Sequence, residues 1–442
     1  MSIFKAYDIR GIYPDQLDEK LAYNVGRSFV TFLNCKQVCV GQDARKTSPE
    51  LFDALTKGIM DQGADVISIG LCSTPLFYFA TKNHDSGIMV TASHNPAEYN
   101  GFKLCRDGTV PISGDTGIKE IEKLALAGEF SDPKSKGKLL DHNYLLEFLD
   151  FCLKHKGNIK PMKVVVDTAN GMGGYVLPKI LEQLPQLEII PLFFDIDMSF
   201  PNHEANPLNP DTMKDLQKAV LDNKADLGIA IDGDADRVMF VDERAQLISA
   251  DFIGALVGLE MLKEKPNLTL GYDVRCSKIV KEVWENAGAK TIITRVGHAL
   301  IKERMRKENA YFVGEFSGHF YYEETSYVEN TILTTLQILN IISEENKPFS
   351  EIIQPLRKYF QSGEHNFKVE DKLAKMKELE QVYKEKGALN THWLDGITVE
   401  FENWWFNVRP SNTEPLLRLN LETDTKEFLD EKFDELKKFI EN

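Results

Sequence analysis

Short apolar runs alternate with amphipathic stretches in the N-terminal part of the chain, and this alternation limits the folds that the chain can adopt. Apolar runs of strand length lie at residues 38–41, 66–69 and 87–90. Stretches with helical spacing precede and separate these runs, at residues 21–33, 51–62 and 74–83. Because strands that alternate with helices in this way form layered sheets, the pattern predicts an α/β domain.

The alternation continues along the chain and then gives way to a segment in which strand-like runs follow one another directly. A chain of 442 residues is too long for one hydrophobic core, so several domains are expected. A predicted helix over residues 139–156 closes the first unit, and further α/β units follow it. From about residue 366, strand-like runs joined by short turns lie between a predicted charged helix at residues 373–387 and a last helix, which is typical of a small α+β domain. The predicted domains are residues 1–155, 156–250, 251–365 and 366–442.

The net charge of −16 limits the partners that the chain can bind. Nucleic acids and anionic membranes both attract basic surfaces, so we expect neither as a partner. A phosphorylated small molecule needs only a few local cations and stays possible. The six cysteines are scattered without a Cys-x-x-Cys pair, which is typical of a reducing compartment. Without a signal-peptide pattern or a membrane-spanning run, the sequence predicts a cytoplasmic protein, and it leaves the oligomeric state open.

The motif Thr-Ala-Ser-His-Asn-Pro at residues 91–96 directly follows the third apolar run. It places the hydroxyl of Ser93 and the imidazole of His94 where a strand leads into a loop, which is where α/β sheets usually bind ligands. Asn100-Gly101 then predicts a turn, after which Lys103 supplies a positive charge. An ordinary polar turn is the alternative interpretation of this segment.

The motif Asp-Gly-Asp-Ala-Asp-Arg at residues 232–237 lies between two predicted strands. Its three carboxylates can face one point if the loop curls, and Mg²⁺ suits a few carboxylates together with a phosphate oxygen. An EF-hand loop is excluded, because Arg237 stands where that loop needs glycine and because the flanking segments are strands. We therefore expect a magnesium site here, with a solvated acidic loop as the alternative.

Two later loops carry further polar groups. Gly-Glu-Phe-Ser-Gly-His at residues 314–319 offers a carboxylate, a hydroxyl and an imidazole, a mixture that matches the hydroxyls of a sugar. Arg-Pro-Ser-Asn-Thr at residues 409–413, with Arg418 shortly after, offers cations, hydroxyls and an amide that suit a phosphate group. A plain polar turn is the alternative for each loop.

A short repeat links the first and third units. Residues 40–45 and 270–275 both have the pattern apolar-Gly-x-Asp-x-Arg, and both follow a predicted strand. Repeated βα units are one cause of such a match.

Taken together, the four polar loops resemble those of the α-D-phosphohexomutase family, and most closely its phosphomannomutase/phosphoglucomutase branch. The resemblance runs in the family's order from Tyr-Asp-Ile-Arg-Gly at residues 7–11 to residues 409–418, and so covers nearly the whole chain. It implies three related α/β/α domains with mixed sheets and a smaller C-terminal α+β domain around a central cleft. It also implies an enzyme that interconverts the 1-phosphate and 6-phosphate of a hexose, mannose or glucose or both.

The resemblance further assigns roles to residues of this chain. Ser93 matches a serine that is phosphorylated in the active enzyme, and its phosphate would help to hold Mg²⁺. The metal ligands that the resemblance implies are Ser93, Asp232, Asp234 and Asp236. The catalytic residues that it implies are Ser93, His94, Lys103 and Arg237. The substrate-binding residues that it implies are Tyr7, Arg10, Arg275, His298, Glu315, Ser317, His319, Arg409, Ser411, Asn412, Thr413 and Arg418.

In the implied reaction, phospho-Ser93 gives its phosphoryl group to the sugar to form a hexose 1,6-bisphosphate, which also acts as an activator. The bisphosphate then turns over in the cleft and returns its other phosphate. Such transfer depends chiefly on alignment and on compensation of negative charge. The general base stays open between His94 and Lys103, with a preference for His94 because a lysine needs a lowered pKa for that role. The alternatives are a phosphoglucosamine mutase and, outside the family, a metal-dependent phosphatase or a metal-binding scaffold.

Overall fold

Four β-sheets with helices packed against them make up the part of the chain that the computed structural model describes, residues 2–411 and 416–441. Three of these sheets are mixed and follow one another along the chain, and the fourth is antiparallel. The predicted fold class is confirmed, because three α/β/α domains precede a smaller C-terminal α+β domain. Within the described residues, no helix combines the length and the apolar character needed to cross a bilayer.

The first sheet and its helices use the chain up to residue 141. The strands are β1 (Ile9–Ile12), β2 (Gln37–Gln42), β3 (Asp65–Leu71), β4 (Ser86–Val90), β5 (Tyr99–Arg106), β6 (Val110–Pro111) and β7 (Leu139–Asp141). The helices are α1 (Glu19–Leu33), α2 (Ser48–Asp61), α3 (Thr74–Thr81) and α4 (Lys119–Ala127). The strand order is β1-β5-β4-β2-β3-β7, and β6 pairs with β5. Helix α1 begins where the Asp18 carboxylate accepts the Leu21 N–H, and it ends at Asn34 in the left-handed conformation.

The second and third sheets follow directly. The second domain contains α5 (Leu145–Leu153), β8 (Met162–Asp167), α6 (Gly173–Leu181), β9 (Leu187–Leu192), α7 (Lys214–Asn223), β10 (Leu227–Ile231), β11 (Val238–Asp242) and β12 (Leu247–Ile248). The third contains α8 (Ala250–Glu264), β13 (Thr269–Asp273), α9 (Lys278–Asn286), β14 (Lys290–Thr294), α10 (His298–Glu308), β15 (Phe312–Gly314), β16 (Phe320–Tyr322), β17 (Val328–Glu329), α11 (Thr331–Glu345) and α12 (Phe349–Ile353).

The three mixed sheets share one arrangement. The four central strands are ordered β3-β2-β4-β5 in the first sheet, β9-β8-β10-β11 in the second and β14-β13-β15-β16 in the third. In each set the first three strands are parallel and the fourth is antiparallel. The loop between the third and fourth strands therefore occupies the same place in every domain. These three loops carry the serine motif, the acidic motif and the predicted sugar-recognition motif.

The C-terminal domain has its own sheet and its own core. Its elements are β18 (Phe360–Gln361), β19 (His365–Lys368), α13 (Lys372–Glu385), β20 (Asn390–His392), β21 (Ile397–Glu400), β22 (Trp404–Pro410), β23 (Leu416–Thr423) and α14 (Lys426–Glu441). Buried side chains such as Trp404, Leu419 and Leu436 form a separate cluster here. Another cluster includes residues of the other three domains, from Cys39 to Leu356, and the first domain has a further cluster of its own.

The turn predicted at Asn100-Gly101 is wrong, because both residues lie within β5. Gly101 packs so closely against β1 that a Cβ there would lie 2.1 Å from the Ile9 carbonyl oxygen. The buried Asn100 side chain donates to the hydroxyls of Thr47 and Ser48 at 2.9 and 3.0 Å. Contacts that are distant in sequence therefore override the local turn preference of this pair.

The predicted helix over residues 139–156 is also partly wrong. Its first residues form β7, which extends the first sheet beside β3. The helix begins only at Leu145, whose N–H donates to the Asn143 side chain at 2.9 Å. The polar segment before Leu145 separates the strand from the helix, although the apolar spacing is helical throughout. The predicted domain boundaries at residues 155, 250 and 365 stay predictions.

Candidate active site

Ser93 lies on the loop between β4 and β5. Its side chain is buried and its φ is 53°, in the left-handed region that few residues other than glycine adopt. The Ser93 N–H donates to the Thr91 hydroxyl at 3.0 Å. Its Oγ lies 3.1 Å from Nδ1 of His94 and 3.4 Å from Oδ2 of Asp232. The hydroxyl therefore contacts the imidazole of its own loop and the acidic loop of the second domain.

The acidic loop brings three buried carboxylates together. One oxygen from each of Asp232, Asp234 and Asp236 lies within 4.8 Å of the other two. The loop is curled because Oδ1 of Asp232 accepts the N–H groups of Asp236 and Arg237 at 2.9 and 3.0 Å. Gly233 allows this loop to reach the serine loop, since a Cβ there would lie 2.6 Å from the Ser93 carbonyl oxygen.

The first and third domains hold the acidic loop from both sides. Thr74, at the start of α3, donates its hydroxyl to Oδ2 of Asp234 at 2.7 Å and its N–H to the Asp234 carbonyl at 2.9 Å. Thr331, at the start of α11, donates its hydroxyl to the Ala235 carbonyl at 2.8 Å. The position of the carboxylates is thus fixed by three domains together.

The charges of the acidic loop suit a hard divalent cation. Burial raises the pKa of Asp232, and the neighbouring carboxylates of Asp236 and Asp234 raise it further. Lys103 is the cation nearest to them, with its Nζ 3.1 Å from Oδ2 of Asp236 and 3.8 Å from Oδ2 of Asp234. Burial alone lowers the pKa of Lys103, but Asp236, together with other carboxylates, raises it above its ordinary value. The three crowded carboxylate groups offer the hard oxygen ligands that Mg²⁺ prefers, so the donor set fits this cation as an additional partner.

His94 differs from Lys103 in its charge state. Burial lowers the pKa of His94 well below its ordinary value, and the cations Arg237 and Arg10 lower it further. The imidazole is therefore neutral near pH 7. Its Nδ1 is placed to exchange a proton with the Ser93 hydroxyl.

The predicted sugar loop meets the acidic loop through His319. Nδ1 of His319 lies 2.9 Å from Oε2 of Glu315, and Nε2 lies 3.2 Å from Oδ1 of Asp236. Burial alone lowers the pKa of His319, but Asp236 and Glu315 outweigh it and raise that pKa to about 9. Ser317 Oγ lies 3.1 Å from the same ring, and Arg275 donates to Oε1 of Glu315 at 3.1 Å.

The N-terminal motif lies beside the serine loop. Arg10 donates to Oδ1 of Asn95 at 2.7 Å and pairs with Asp8, also at 2.7 Å. Nε2 of His298 lies 3.5 Å from the other oxygen of Asp8, and the Tyr7 ring packs edge-on against the His298 ring. Asp8 and Asn95 were not predicted as site residues, although both lie within motifs that the sequence analysis singled out.

The C-terminal domain presents a separate cluster of cations. Arg409 on β22 and Arg418 on β23 are opposite each other across the two strands. Both contact Glu364, which accepts from NH2 of Arg409 and, at 3.2 Å, from NH1 of Arg418. Ser411 is buried next to this pair of strands. The predicted residues Asn412 and Thr413 lie outside the described residues.

Arg45 is a further site-supporting residue that was not predicted. Its guanidinium donates to four backbone carbonyls, at distances of 2.7 to 3.0 Å, which belong to Ser93, Asn95, Pro96 and Tyr99. The equivalent residue of the third domain, Arg275, pairs with Asp273 and with Glu315 of the sugar loop. The repeated Asp-x-Arg pattern therefore holds the functional loop of its own domain in both cases.

The structure thus gathers most of the predicted residues into one region. The serine loop, the acidic loop and the sugar loop are in direct contact through Ser93, Asp232, Asp236 and His319. Tyr7, Arg10 and His298 border the same region. Arg409 and Arg418 form the second cluster, whose Glu364 also interacts with the charge of Arg275 in the third domain.

Models of four known domains match the chain in order. Phosphoglucomutase/phosphomannomutase alpha/beta/alpha domains I, II and III match residues 1–132, 143–246 and 249–359, and the C-terminal domain of the same family matches residues 364–438. The chain belongs to the phosphoglucomutase/phosphomannomutase family. As a member of this family it is an enzyme, a mutase that transfers a phosphoryl group.

Relatives of this family align over nearly their whole length. A phosphomannomutase of Methanocaldococcus jannaschii is 41% identical over all of this chain and 98% of its own. A phosphomannomutase of Vibrio cholerae is 42% identical, with the same shares covered. The solved structure of a phosphoglucomutase/phosphomannomutase family protein from Burkholderia thailandensis is 30% identical and superposes with a TM-score of 0.91, covering 99% of this chain and 96% of that one.

Proposed function

We propose that the chain is a phosphohexomutase that interconverts the 1-phosphate and the 6-phosphate of mannose, of glucose or of both, through phospho-Ser93 and a hexose 1,6-bisphosphate. The observation that carries this proposal is the contact between the Ser93 hydroxyl, the imidazole of His94 and the carboxylates of the acidic loop. The phosphomannomutase name of the relatives at 41% and 42% identity supports the same reaction.

Mg²⁺ fits the acidic loop. Asp232, Asp234 and Asp236 would hold it together with the phosphate on Ser93, and one buried oxygen of Asp234 accepts no hydrogen bond within the described residues. When bound, the cation would supply charge compensation for the transferring phosphoryl group. Lys103 and Arg237 would add two fixed positive charges beside it.

A proton moves from the sugar to Ser93 while the phosphoryl group moves from Ser93 to the sugar. Transfer from phospho-Ser93 breaks its Oγ–P bond and forms a bond from phosphorus to a sugar hydroxyl oxygen, while the proton of that hydroxyl passes to Ser93 Oγ. His94 is the residue placed to hold this proton, because its Nδ1 lies 3.1 Å from Oγ. Lys103 is held in its charged form by carboxylates and serves instead as an electrostatic partner.

The two remaining clusters would bind the rest of the substrate. Glu315 and Ser317 would accept and donate hydrogen bonds to sugar hydroxyls, and Arg409, Ser411 and Arg418 would bind the phosphate that is not being transferred. The proposal extends to Tyr7, Arg10, Arg275, His298, His319, Asn412 and Thr413 as further residues around the substrate. A half-turn of the bisphosphate within the cleft then presents its other phosphate to Ser93.

The test compares the wild-type protein with Ser93→Ala and with the control Ser131→Ala, whose serine is exposed and distant in sequence. Intact mass should show one phosphate on the wild type and on the control after incubation with glucose 1,6-bisphosphate, and none on Ser93→Ala. Coupled assays with mannose 1-phosphate, glucose 1-phosphate and glucosamine 1-phosphate, with and without the bisphosphate, then define the substrate. Wild-type protein that carries the phosphate but isomerises none of these sugars would refute the proposal. Release of inorganic phosphate instead would indicate a phosphatase.

A further inference from the structure

A carboxylate occupies the cluster of cations that would bind the distal phosphate. Glu364 lies just after β18, where Gly363 turns the chain with a φ of 72°. Its two oxygens are divided between the arginines, with Oε2 on Arg409 and Oε1 on Arg418. Glu364 therefore presents to both guanidinium groups the oxygens that a phosphate would also present.

The surroundings of Glu364 are strongly positive and only partly exposed. The Arg409 side chain is 5% exposed, and that of Glu364 is 23% exposed. Burial alone raises the pKa of Glu364, but the charges of Arg409, Arg275 and Arg418 outweigh it and lower that pKa. The carboxylate is therefore ionised at neutral pH. It supplies a negative charge to three arginines from two domains.

The positive charges of these arginines repel one another. Burial lowers the pKa of Arg409. The like charge of Arg275 lowers it further, because the two guanidinium groups lie close enough to repel each other. In addition, the buried Nε of Arg409 donates to no acceptor within residues 2–411 and 416–441. The guanidinium group thus keeps a donor for a further anion while Glu364 holds another part of it.

We propose that Glu364 is a positioning residue that exchanges with the substrate's distal phosphate, holding the arginines together when the phosphate leaves and competing with it when it binds. This inference rests on the proposed function, in which the bisphosphate must leave this cluster, turn over and bind again. A carboxylate that replaces the departing phosphate lowers the affinity of the arginines for the bisphosphate intermediate and so favours its reorientation.

The first test measures the affinity of this cluster for inorganic phosphate by calorimetry in chelator-containing buffer, which suppresses binding at the acidic loop. Glu364→Gln keeps the shape of the side chain and removes its charge, so we expect phosphate to bind roughly ten-fold more tightly or better. Glu370→Gln, an equal charge change at an exposed position of the same domain, should leave the affinity unchanged. Arg409→Ala should abolish binding, which shows that the phosphate occupies this cluster.

A purely structural brace predicts the opposite result. If Glu364 only supports the arginines, Glu364→Gln will bind phosphate more weakly than the wild type or equally well, and either result overturns the proposal. Glu364→Asp, which keeps the charge, should return the affinity toward that of the wild type. Equal thermal midpoints of the variants show that their folds are intact.

The second test follows turnover. In Glu364→Gln we expect a lower KM, a lower kcat and a smaller fraction of hexose 1,6-bisphosphate released to solution per turnover, because the intermediate is held more tightly. A raised KM with unchanged kcat would contradict the exchange. If the wild-type protein isomerises no hexose phosphate, the proposed function fails, but the affinities for inorganic phosphate still decide whether Glu364 competes with an anion.

Discussion

Glu422 is a buried acid at the junction of the third and fourth domains. Its Oε1 accepts the Lys278 N–H at 3.1 Å, at the start of α9, and the Trp405 indole N–H at 2.9 Å. Burial raises the pKa of Glu422 to about 7, and hydrogen bonds from Ser277, Trp405 and Lys278 oppose part of this shift. The nearby carboxylate of Asp251 adds to the rise.

Stability should therefore fall as the pH rises. The folded state binds the proton of Glu422 more tightly than the unfolded chain does, so its contribution is fully present below pH 4.5 and is lost as the pH passes 7. Glu422→Gln keeps the accepting carbonyl and removes the titration. We expect this variant to exceed the wild type in unfolding free energy by about 3 kcal/mol at pH 8, with the gain declining toward pH 5. Urea unfolding at the two pH values measures the difference.

The exposed Glu427 provides the control for this prediction. Glu427→Gln removes the same charge from the same domain without a buried environment, so its effect on the unfolding free energy should be small and should not vary between pH 5 and 8. An equal stability gain in both variants would show that net charge, rather than the burial of Glu422, causes the effect.

At the scale of elements, the turn after the first parallel strand supports the functional loop in the first and third domains. Arg45, paired with Asp43, follows β2 and binds the carbonyls of the serine loop, and Arg275, paired with Asp273, follows β13 and binds Glu315. A guanidinium group can reach several acceptors in a plane, whereas the ammonium of lysine cannot reproduce that arrangement.

We expect Arg45→Lys to lower kcat about a hundred-fold with a smaller change in KM, because a displaced serine loop misaligns the transferring group without removing a substrate contact. Steady-state kinetics measures this split. Arg244→Lys is the matched control, since its side chain is 65% exposed and it should leave both constants unchanged. A kcat for Arg45→Lys within a factor of two or three of the wild type would contradict the role of this turn.

The second domain shows what the sequence pattern could not reveal. Its first parallel strand also ends in an aspartate, Asp167, but Ala169 stands where the other two domains have arginine. The partner of Asp167 is instead His203, whose Nε2 lies 3.1 Å from its carboxylate and which comes from a different loop. A search for Asp-x-Arg finds the motif in the first and third domains. It misses the second domain, because the residue that contacts Asp167 there is 36 positions away in the sequence.

The predicted and the missed residues of the site differ in how far apart in the sequence their interacting groups lie. The serine, acidic and sugar loops could be predicted because the chemistry of each is contained in about six consecutive residues. Asn100 and Gly101 were misassigned, and Glu364 was missed, because contacts with β1, with α2 and with the arginines of β22 and β23 define their roles. The composition and the alternation of strands and helices predicted the layered fold, whereas the identical strand order of three sheets became visible only in the structure.

At the scale of the whole molecule, the hydrophobic cores divide the chain unequally. One cluster of buried side chains includes residues of the first three domains, and the first domain contributes a further cluster of its own. The C-terminal domain contributes no residue to either cluster and has a separate one within the described residues. The contacts that join this domain to the third include polar ones, such as the Val296 N–H on Asp395 and the pair of Lys278 with Asp424. Polar interfaces of this kind permit movement between domains, so we expect the C-terminal domain to move relative to the third.

This division predicts two unfolding transitions in scanning calorimetry. Leu436→Ala creates a cavity in the C-terminal core and should destabilise that transition alone by about 2 to 5 kcal/mol. Leu333→Ala, which is equally buried but lies in the shared core, should affect the other transition to a similar extent. Each variant is the control for the other. A single transition that both substitutions shift equally would show that the C-terminal domain unfolds together with the first three domains. That result would contradict the expected movement of the C-terminal domain.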